Sequence, residues 1–213
     1  MYLSRVQIDD RNRQKIRDLT HLGAYHNWVE SSFPEEIAHH RRSRHLWRID
    51  ILRGKRYLLI VSEEKPDSTR LEQYGVQGTV ITKGYQAFID KIRTDEIMNF
   101  CLVANPTYRT NGKVYPHITI EQQKNWLLDR MTDAGFEILP ENMSKTNEYQ
   151  FDIVNREWPT LYHNKRRVRL SRVTFEGRLK VTNVDKIKET LINGVGREKA
   201  YGMGMLTVIP VRK

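Results

Sequence analysis

Val173-Thr174-Phe175-Glu176-Gly177-Arg178-Leu179-Lys180-Val181, followed after Thr182-Asn183 by Val184 through Ile192, changes its character within twenty residues. In an extended chain Val173, Phe175, Leu179 and Val181 point one way while Arg178 and Lys180 point the other, which predicts a strand with one apolar and one basic side. Residues Val184 to Ile192 read as the helix that follows it, and Met205 to Ile209 as a closing strand. Upstream, a strand ends in Val168-Arg169-Leu170, and a helix runs from about Ile120 to Ala134 with Trp126, Leu127 and Met131 near one face. Before that helix, a strand from Met98 to Ala104 is stopped by Asn105-Pro106, and a loop contains Asn111-Gly112. The order is strand, helix, strand, strand, helix, strand.

The first half repeats it. Tyr2 to Ile8 reads as a strand, and Asp9-Asp10 can cap a helical stretch through Leu19. Leu46–Leu52 and Tyr57–Val61 form a hairpin around Arg53-Gly54-Lys55-Arg56. Pro66-Asp67-Ser68 can start a short helix, and Val80-Ile81-Thr82 supplies a last strand. The expected fold is therefore α+β: two tandem ferredoxin-like (RRM-like) domains, residues 1–92 and 93–213, each a four-stranded antiparallel sheet with helices on one face. The aromatic Lys/Arg-Gly-Phe/Tyr signature of RRM modules does not occur, and fold alone assigns no function.

Charge narrows the partners. Thirty-six Lys and Arg against 26 Asp and Glu leave +10 over 213 residues, a potential that attracts polyanions, nucleic acid first among them. The single cysteine, Cys101, excludes an internal disulfide and any multi-cysteine zinc site, and between Phe100 and Leu102 it reads as a small buried hydrophobe. No apolar run approaches the ~18–20 residues that cross a bilayer, and the N-terminus lacks a signal-peptide core, so a cytoplasmic protein is expected.

Lys165, Arg166, Arg167, Arg169 and Arg172 fall within residues 165–172 with no acid among them. As a strand this segment puts Arg167 and Arg169 on one face, a basic ribbon suited to phosphates; charge guarding an edge hairpin against aggregation explains the same pattern. Arg41, Arg42 and Arg44, near His39, His40 and His45, make a weaker patch. Towards the end, Gly194, Gly196, Gly202 and Gly204 surround Arg197 and Lys199. No Gly-Lys-Ser/Thr follows, and Lys199 stands where a dinucleotide fingerprint needs its third glycine, so nucleotide cofactors are poorly supported and no cofactor is expected. The stretch can cradle an RNA phosphate, or simply cap a helix at Gly194 and turn.

Metal-free RNA cleavage needs a base for the 2′-hydroxyl proton, an acid for the departing 5′-oxygen, and donors near the phosphate. The histidines are His21, His26, His39, His40, His45, His117 and His163, and composition does not choose among them. His21 and His26 are five apart with no acid between them, so no metal site is expected.

Met1-Tyr2-Leu3-Ser4-Arg5-Val6, Leu46-Trp47-Arg48, Ala104-Asn105-Pro106, Phe175-Glu176-Gly177-Arg178-Leu179 and, above all, Gly194-Val195-Gly196 with Lys199-Ala200, Gly202, Gly204 and Leu206 together resemble the CasE family, which matures repeat RNA in type I-E CRISPR systems. The likeness runs nearly end to end. It implies two ferredoxin-like domains and cleavage of a repeat hairpin at the base of its stem, leaving a 2′,3′-cyclic phosphate. It also implies a product that stays bound, other subunits of a surveillance complex as partners, and a basic hairpin around Arg166, Arg167 and Arg169 entering the stem's major groove. Family members carry a histidine seven residues before a Phe-Pro pair, which selects His26 with Phe33-Pro34. Where relatives often have a tyrosine, three residues earlier, this chain has Gly23, and Tyr25 is the adjacent candidate. An arginine common before the Asn-Pro motif is replaced by Val103-Ala104. A non-catalytic RNA-binding subunit is the rival expectation.

Overall fold

The computed structural model describes residues 1–141, 149–163 and 166–211, with residues 162, 163, 166 and 167 described through their backbone. It separates into two units, Met1–Asp90 together with Lys199–Gly202, and Lys91–Glu198 together with the stretch from Met203 onward.

In the first unit, β1 (Tyr2–Gln7) leads through α1 (Arg13–Ile16), α2 (Leu22–Ser31) and α3 (Pro34–Ala38) to β2 (Leu46–Leu52) and β3 (Lys55–Ser62). Then come α4 (Ser68–Leu71), β4 (Ile81–Gly84) and α5 (Gln86–Ile89). The sheet order is β2-β3-β1-β4, antiparallel throughout. Register sets Trp47, Ile60 and Ser4 in one cross-strand row and Ile49, Leu58 and Val6 in another, and most of these are fully buried. The β2–β3 turn closes on Arg53 and Gly54 alone, both left-handed at φ 51° and 73°, a two-residue connection whose twist matches that of the strands.

The principal helix lies later than the sequence predicts. A helix from Asp9 through Leu19 is not formed; α1 is one turn capped by Asn12, and the long helix begins at Leu22. Packing decides this, because Leu22, Tyr25, Trp28 and Val29 fall on one stripe and are buried, whereas α1 buries no residue. Trp28 is 1 % exposed and its indole N–H donates to the Arg70 carbonyl at 3.2 Å, which ties α2 to α4.

The second unit contains β5 (Ile97–Ala104), β6 (Thr107–Thr110), β7 (Lys113–Pro116), α6 (Ile120–Ala134), β8 (Phe136–Ile138), β9 (Phe151–Glu157), β10 (Thr160–His163), β11 (Arg166–Arg169), β12 (Arg172–Val181), α7 (Val184–Asn193) and β13 (Leu206–Pro210). Its main sheet runs β13-β5-β12-β8, and β9 also pairs with β12. Each unit thus has first and third strands in the middle of the sheet and second and fourth at its edges, the ferredoxin-like order. Both are α+β with antiparallel sheets, as the alternation of elements predicts.

One expected strand moves. The segment ending at Leu170 is not the second strand of this sheet; among the described residues β11 pairs with β10 alone, in a separate two-stranded hairpin. The edge beside β12 is shared by β8 along Leu179–Val181 and β9 along Arg172–Gly177. Phe136, Ile138 and Phe151 are buried there, while Val168 is 43 % exposed, so hydrophobic burial fills the edge from 136–138 and 151–157. The Asn111-Gly112 loop is itself a tight hairpin between β6 and β7.

Candidate functional site

His26 sits in the middle of α2, one residue beyond the stripe that buries Tyr25. The helix starts at His21, whose Nδ1 accepts the Ala24 N–H at 3.2 Å and so performs the work usually given to Ser or Asp. The His26 side chain is 19 % exposed and its Nδ1 is buried without a hydrogen-bond partner, 3.9 Å from Glu30 Oε1 one turn on. Burial pushes its pKa below the ordinary histidine value; Glu30 opposes this, and Arg42 and His45 reinforce it. The imidazole is therefore neutral near pH 7, the form that accepts a proton.

Glu30 is shared. It also accepts from His45 Nδ1 at 3.0 Å and pairs with Arg42 at 3.4 Å. His45, 2 % exposed in its side chain, bonds Glu36 through Nε2 at 3.2 Å and stacks on Phe33 with centroids 3.8 Å apart. Burial alone would lower the His45 pKa, but Glu30 and then Glu36 outweigh it and the net direction is up. Phe33 thus supports a buried His45 between two carboxylates, and one of those carboxylates, Glu30, lies 3.9 Å from His26.

Tyr25 points elsewhere. It is 7 % exposed, stacks on Trp47 with centroids 6.0 Å apart, and its hydroxyl accepts from Arg56 at 2.7 Å. The tyrosine beside His26 is Tyr201, with ring centroids 6.0 Å apart. It belongs to a 3₁₀ turn, Lys199–Tyr201, that is part of the first unit although distant in sequence. Trp47 holds that turn: its indole N–H donates to the Ala200 carbonyl at 3.1 Å, and a Cβ on Gly202, at φ +73°, would come within 2.6 Å of its ring. Lys199 is half-buried, and burial followed by the charge of Arg44 lowers its pKa.

The glycine-rich stretch accordingly divides. Gly194 caps α7 with its N–H on the Thr190 carbonyl, and Gly204 takes φ +86° and accepts from the Val195 N–H at 2.8 Å. A Cβ on Gly196 would meet the Trp126 ring at 3.0 Å, while Arg197 is exposed. The close backbone approaches serve two tryptophans of the protein itself.

On the basic hairpin, Lys165 and the side chains of Arg166 and Arg167 lie outside the described residues. Arg169 is exposed, its guanidinium 5.3 Å from the centre of the Trp158 ring. Arg172 is 13 % exposed in its side chain and donates to Glu157 at 3.3 Å. Arg178 is exposed on β12, but Lys180 beside it pairs with Glu137 at 2.8 Å and with Asp95 at 3.4 Å. Among the described residues, no group of three or more His, Cys, Asp and Glu is placed to hold a metal ion.

Sequence reading missed Glu30 and Tyr201. Glu30 is legible as the i+4 neighbour of His26 once the helix is placed at 22–31. No local signal indicates Tyr201, because only the tertiary fold brings its turn to α2.

A sequence model of the family described as CRISPR associated protein matches residues 1–210. The chain belongs to that family. A CRISPR-associated endoribonuclease, Cse3 of Thermus thermophilus, is 27 % identical over 217 residues, covering 99 % of this chain and all of the relative. A solved Cse3 endoribonuclease bound to 19-nucleotide RNA superposes with a TM-score of 0.84 at 26 % identity, over 99 % of this chain and 100 % of that one. Thermus thermophilus Cse3 bound to an RNA representing a pre-cleavage complex gives 0.81 at 26 % identity, with 98 % of each chain covered. The Cas6e protein of Escherichia coli K-12, at 20 % identity and a TM-score of 0.67 over 99 % of this chain and 100 % of that one, shares the fold. The CasE resemblance seen in the motifs thus holds along the whole of this CRISPR-associated chain.

Proposed function

We propose that this CRISPR-associated protein is a metal-independent endoribonuclease. It binds the stem-loop of repeat RNA and cuts precursor transcripts at the base of the stem, leaving a 2′,3′-cyclic phosphate and releasing mature guide RNA units. The observation that carries the proposal is end-to-end similarity, in sequence and in structure, to an endoribonuclease with RNA-bound relatives. His26 takes the 2′-hydroxyl proton, the 2′-oxygen attacks the adjacent phosphorus, and the bond to the 5′-oxygen breaks as the His26 imidazolium gives that proton to the departing oxygen. With Nδ1 buried towards Glu30, Nε2 is the nitrogen that meets RNA; the carboxylate favours the proton on Nδ1 and stabilises the imidazolium as it forms. Tyr201 supplies a hydroxyl beside the ring, in place of the tyrosine absent at Gly23. Tyr25, engaged with Arg56, acts through packing.

The hairpin of Lys165, Arg166, Arg167 and Arg169, with Arg172 anchoring its base through Glu157, holds the RNA stem. Within the stretch from Gly194 to Gly204, Arg197 in the second unit and Lys199 in the first are each assigned a phosphate contact, and no cofactor takes part. A cytoplasmic location and assembly with other subunits of a type I-E surveillance complex belong to the same proposal, supported by the CasE resemblance and the lone cysteine. No helix of the described residues is long and apolar enough to cross a membrane.

Single-turnover cleavage of a repeat stem-loop in excess chelator tests this reading. Wild type is expected to cut, and His26→Ala to bind RNA with unchanged affinity but cut at least ~100-fold more slowly. Equal rates in the variant would remove His26 from the mechanism, and intact binding without any cutting by wild type would favour a non-catalytic RNA-binding subunit.

A further inference from the structure

The second unit contains a cationic cleft that shares no residue with the hairpin or with the surroundings of His26, and it extends the part assigned to Arg197 to a defined set of partners. Strands β6 and β7, helix α6 and the segment after Gly194 enclose about 210 Å³, lined by Tyr108, Arg109, Trp126, Arg130, Gly196 and Arg197 among others. Arg109, Arg130 and Arg197 all line this space, and among the described residues none of them has a carboxylate within ion-pair distance. Asp129 offsets only part of the charge of Arg130, so the lining keeps an excess of positive charge that a bound anion relieves.

The lining is built rather than incidental. Arg130 lies over the Trp126 ring with its guanidinium carbon 4.3 Å from the centroid, and donates to the Trp126 carbonyl at 2.9 Å. That fixes the guanidinium while leaving further N–H donors, since this is its one hydrogen bond among the described residues. Burial lowers its pKa, and Asp129 only partly compensates. Trp126 itself is 2 % exposed and its indole N–H has no partner, an unsatisfied donor in the wall of the cleft. Gly196 packs against the same ring and so brings Arg197 to the rim. Tyr108, 45 % exposed and stacked on Tyr115 with centroids 5.8 Å apart, offers a held aromatic face beside the arginines.

We infer that this cleft binds one phosphate of the bound RNA strand, with Arg109, Arg130 and Arg197 as donors and the neighbouring base against Tyr108. Guanidinium forks match phosphate oxygens in pairs, and a ring next to them accepts any base by stacking, so the subsite holds RNA without reading its sequence. The inference rests on the RNA-binding function proposed above.

The experiment uses full-length protein and a repeat RNA carrying 2′-deoxyribose at the cleavage position, so that binding is measured without cutting. Arg109 and Arg197 are exposed, and Arg109→Ala with Arg197→Ala leaves the core intact. The double variant is expected to bind about tenfold more weakly, and its slope of log affinity against log salt to shrink by about 0.7–0.9 per lost phosphate contact. Arg130→Lys, which keeps the charge but loses the fork, is expected to weaken binding by a smaller factor. Unchanged affinity and slope in the double variant, while wild type binds and cuts, would overturn the subsite together with the contact assigned to Arg197 but leave the endoribonuclease function standing; indifference of wild type to stem-loops would instead remove the function on which the subsite rests. In a parallel arm, AMP and inorganic phosphate are titrated by ³¹P NMR. Binding of either that is lost in the double variant, with RNA affinity unaffected, would make the cleft a site for free phosphates and overturn the RNA assignment.

Discussion

At the scale of the residue, the region around His26 holds two histidines under opposite influences. His26 is lowered chiefly by burial, while His45, deeper, is raised because two carboxylates outweigh the same effect. A histidine raised above its unfolded value of 6.5 stabilises the fold fully below that value, and the contribution disappears as pH rises through the higher folded pKa. Thermal unfolding should therefore show a His45 contribution that fades between about pH 6.5 and the raised value. His45→Gln should abolish that fade and leave the opposite trend from His26, whose lowered pKa penalises protonation at acid pH. Glu30 and Glu36 are lowered despite burial, by their bonds to His45 and Ser43, so their contribution is present above 4.5 and lost as pH falls through their folded values. For catalysis, Glu30→Gln removes the charge that raises His26. The acid limb of the cleavage profile is expected to move to lower pH, with a plateau rate about tenfold down, equivalent to ~1.4 kcal/mol in the barrier. A profile identical to wild type would show that Glu30 does not act through His26. Tyr201→Phe provides the companion measurement: slower cutting with RNA affinity retained is expected of a hydroxyl that acts beside the imidazole.

At the scale of the element, the 3₁₀ turn Lys199–Tyr201 depends on one aromatic ring. Gly202→Ala must place a Cβ within 2.6 Å of Trp47 at φ +73°, so it combines overpacking with left-handed strain and is expected to destabilise the fold by about 2 kcal/mol. Chemical denaturation would measure this directly, and a midpoint equal to wild type would mean that the turn is free to move off the ring. The elements also show where local sequence is a sound guide. α6 spans Ile120–Ala134 as its pattern predicts, with a capping box between Thr119 and Gln122 and a left-handed Gly135 to end it. The sequence points to a helix too early in the first unit because Asp9-Asp10 is a good cap for a segment that has no apolar stripe to bury. His21, an unconventional cap, begins the one that does.

At the scale of the whole molecule, a net charge of +10 leads to an expectation that holds whichever arginines touch RNA. Affinity for the stem-loop should fall steeply and linearly in log–log terms as salt rises, and salt-independent binding would contradict phosphate-dominated recognition. The double ferredoxin-like plan was legible because hydrophobic period changes between strand and helix, and those periods survive in a single sequence. The affinity for polyanions was legible too, since charge is additive and needs no coordinates. The strand order within each sheet and the neighbours of His26 were not. Burial decides which of two candidate segments fills an edge, and so Phe136–Ile138 and Phe151–Glu157, rather than the arginine-rich segment before Leu170, lie beside β12. The sequence by itself determined the classes of element, their order and the sign of the surface. Only the tertiary structure decided where the long helix begins, and with it that Glu30 stands one turn beyond His26, and that Tyr201, carried on a turn anchored by Trp47, lies beside the same ring, because contacts between residues far apart in the chain are selected by packing and leave no periodic trace in the sequence.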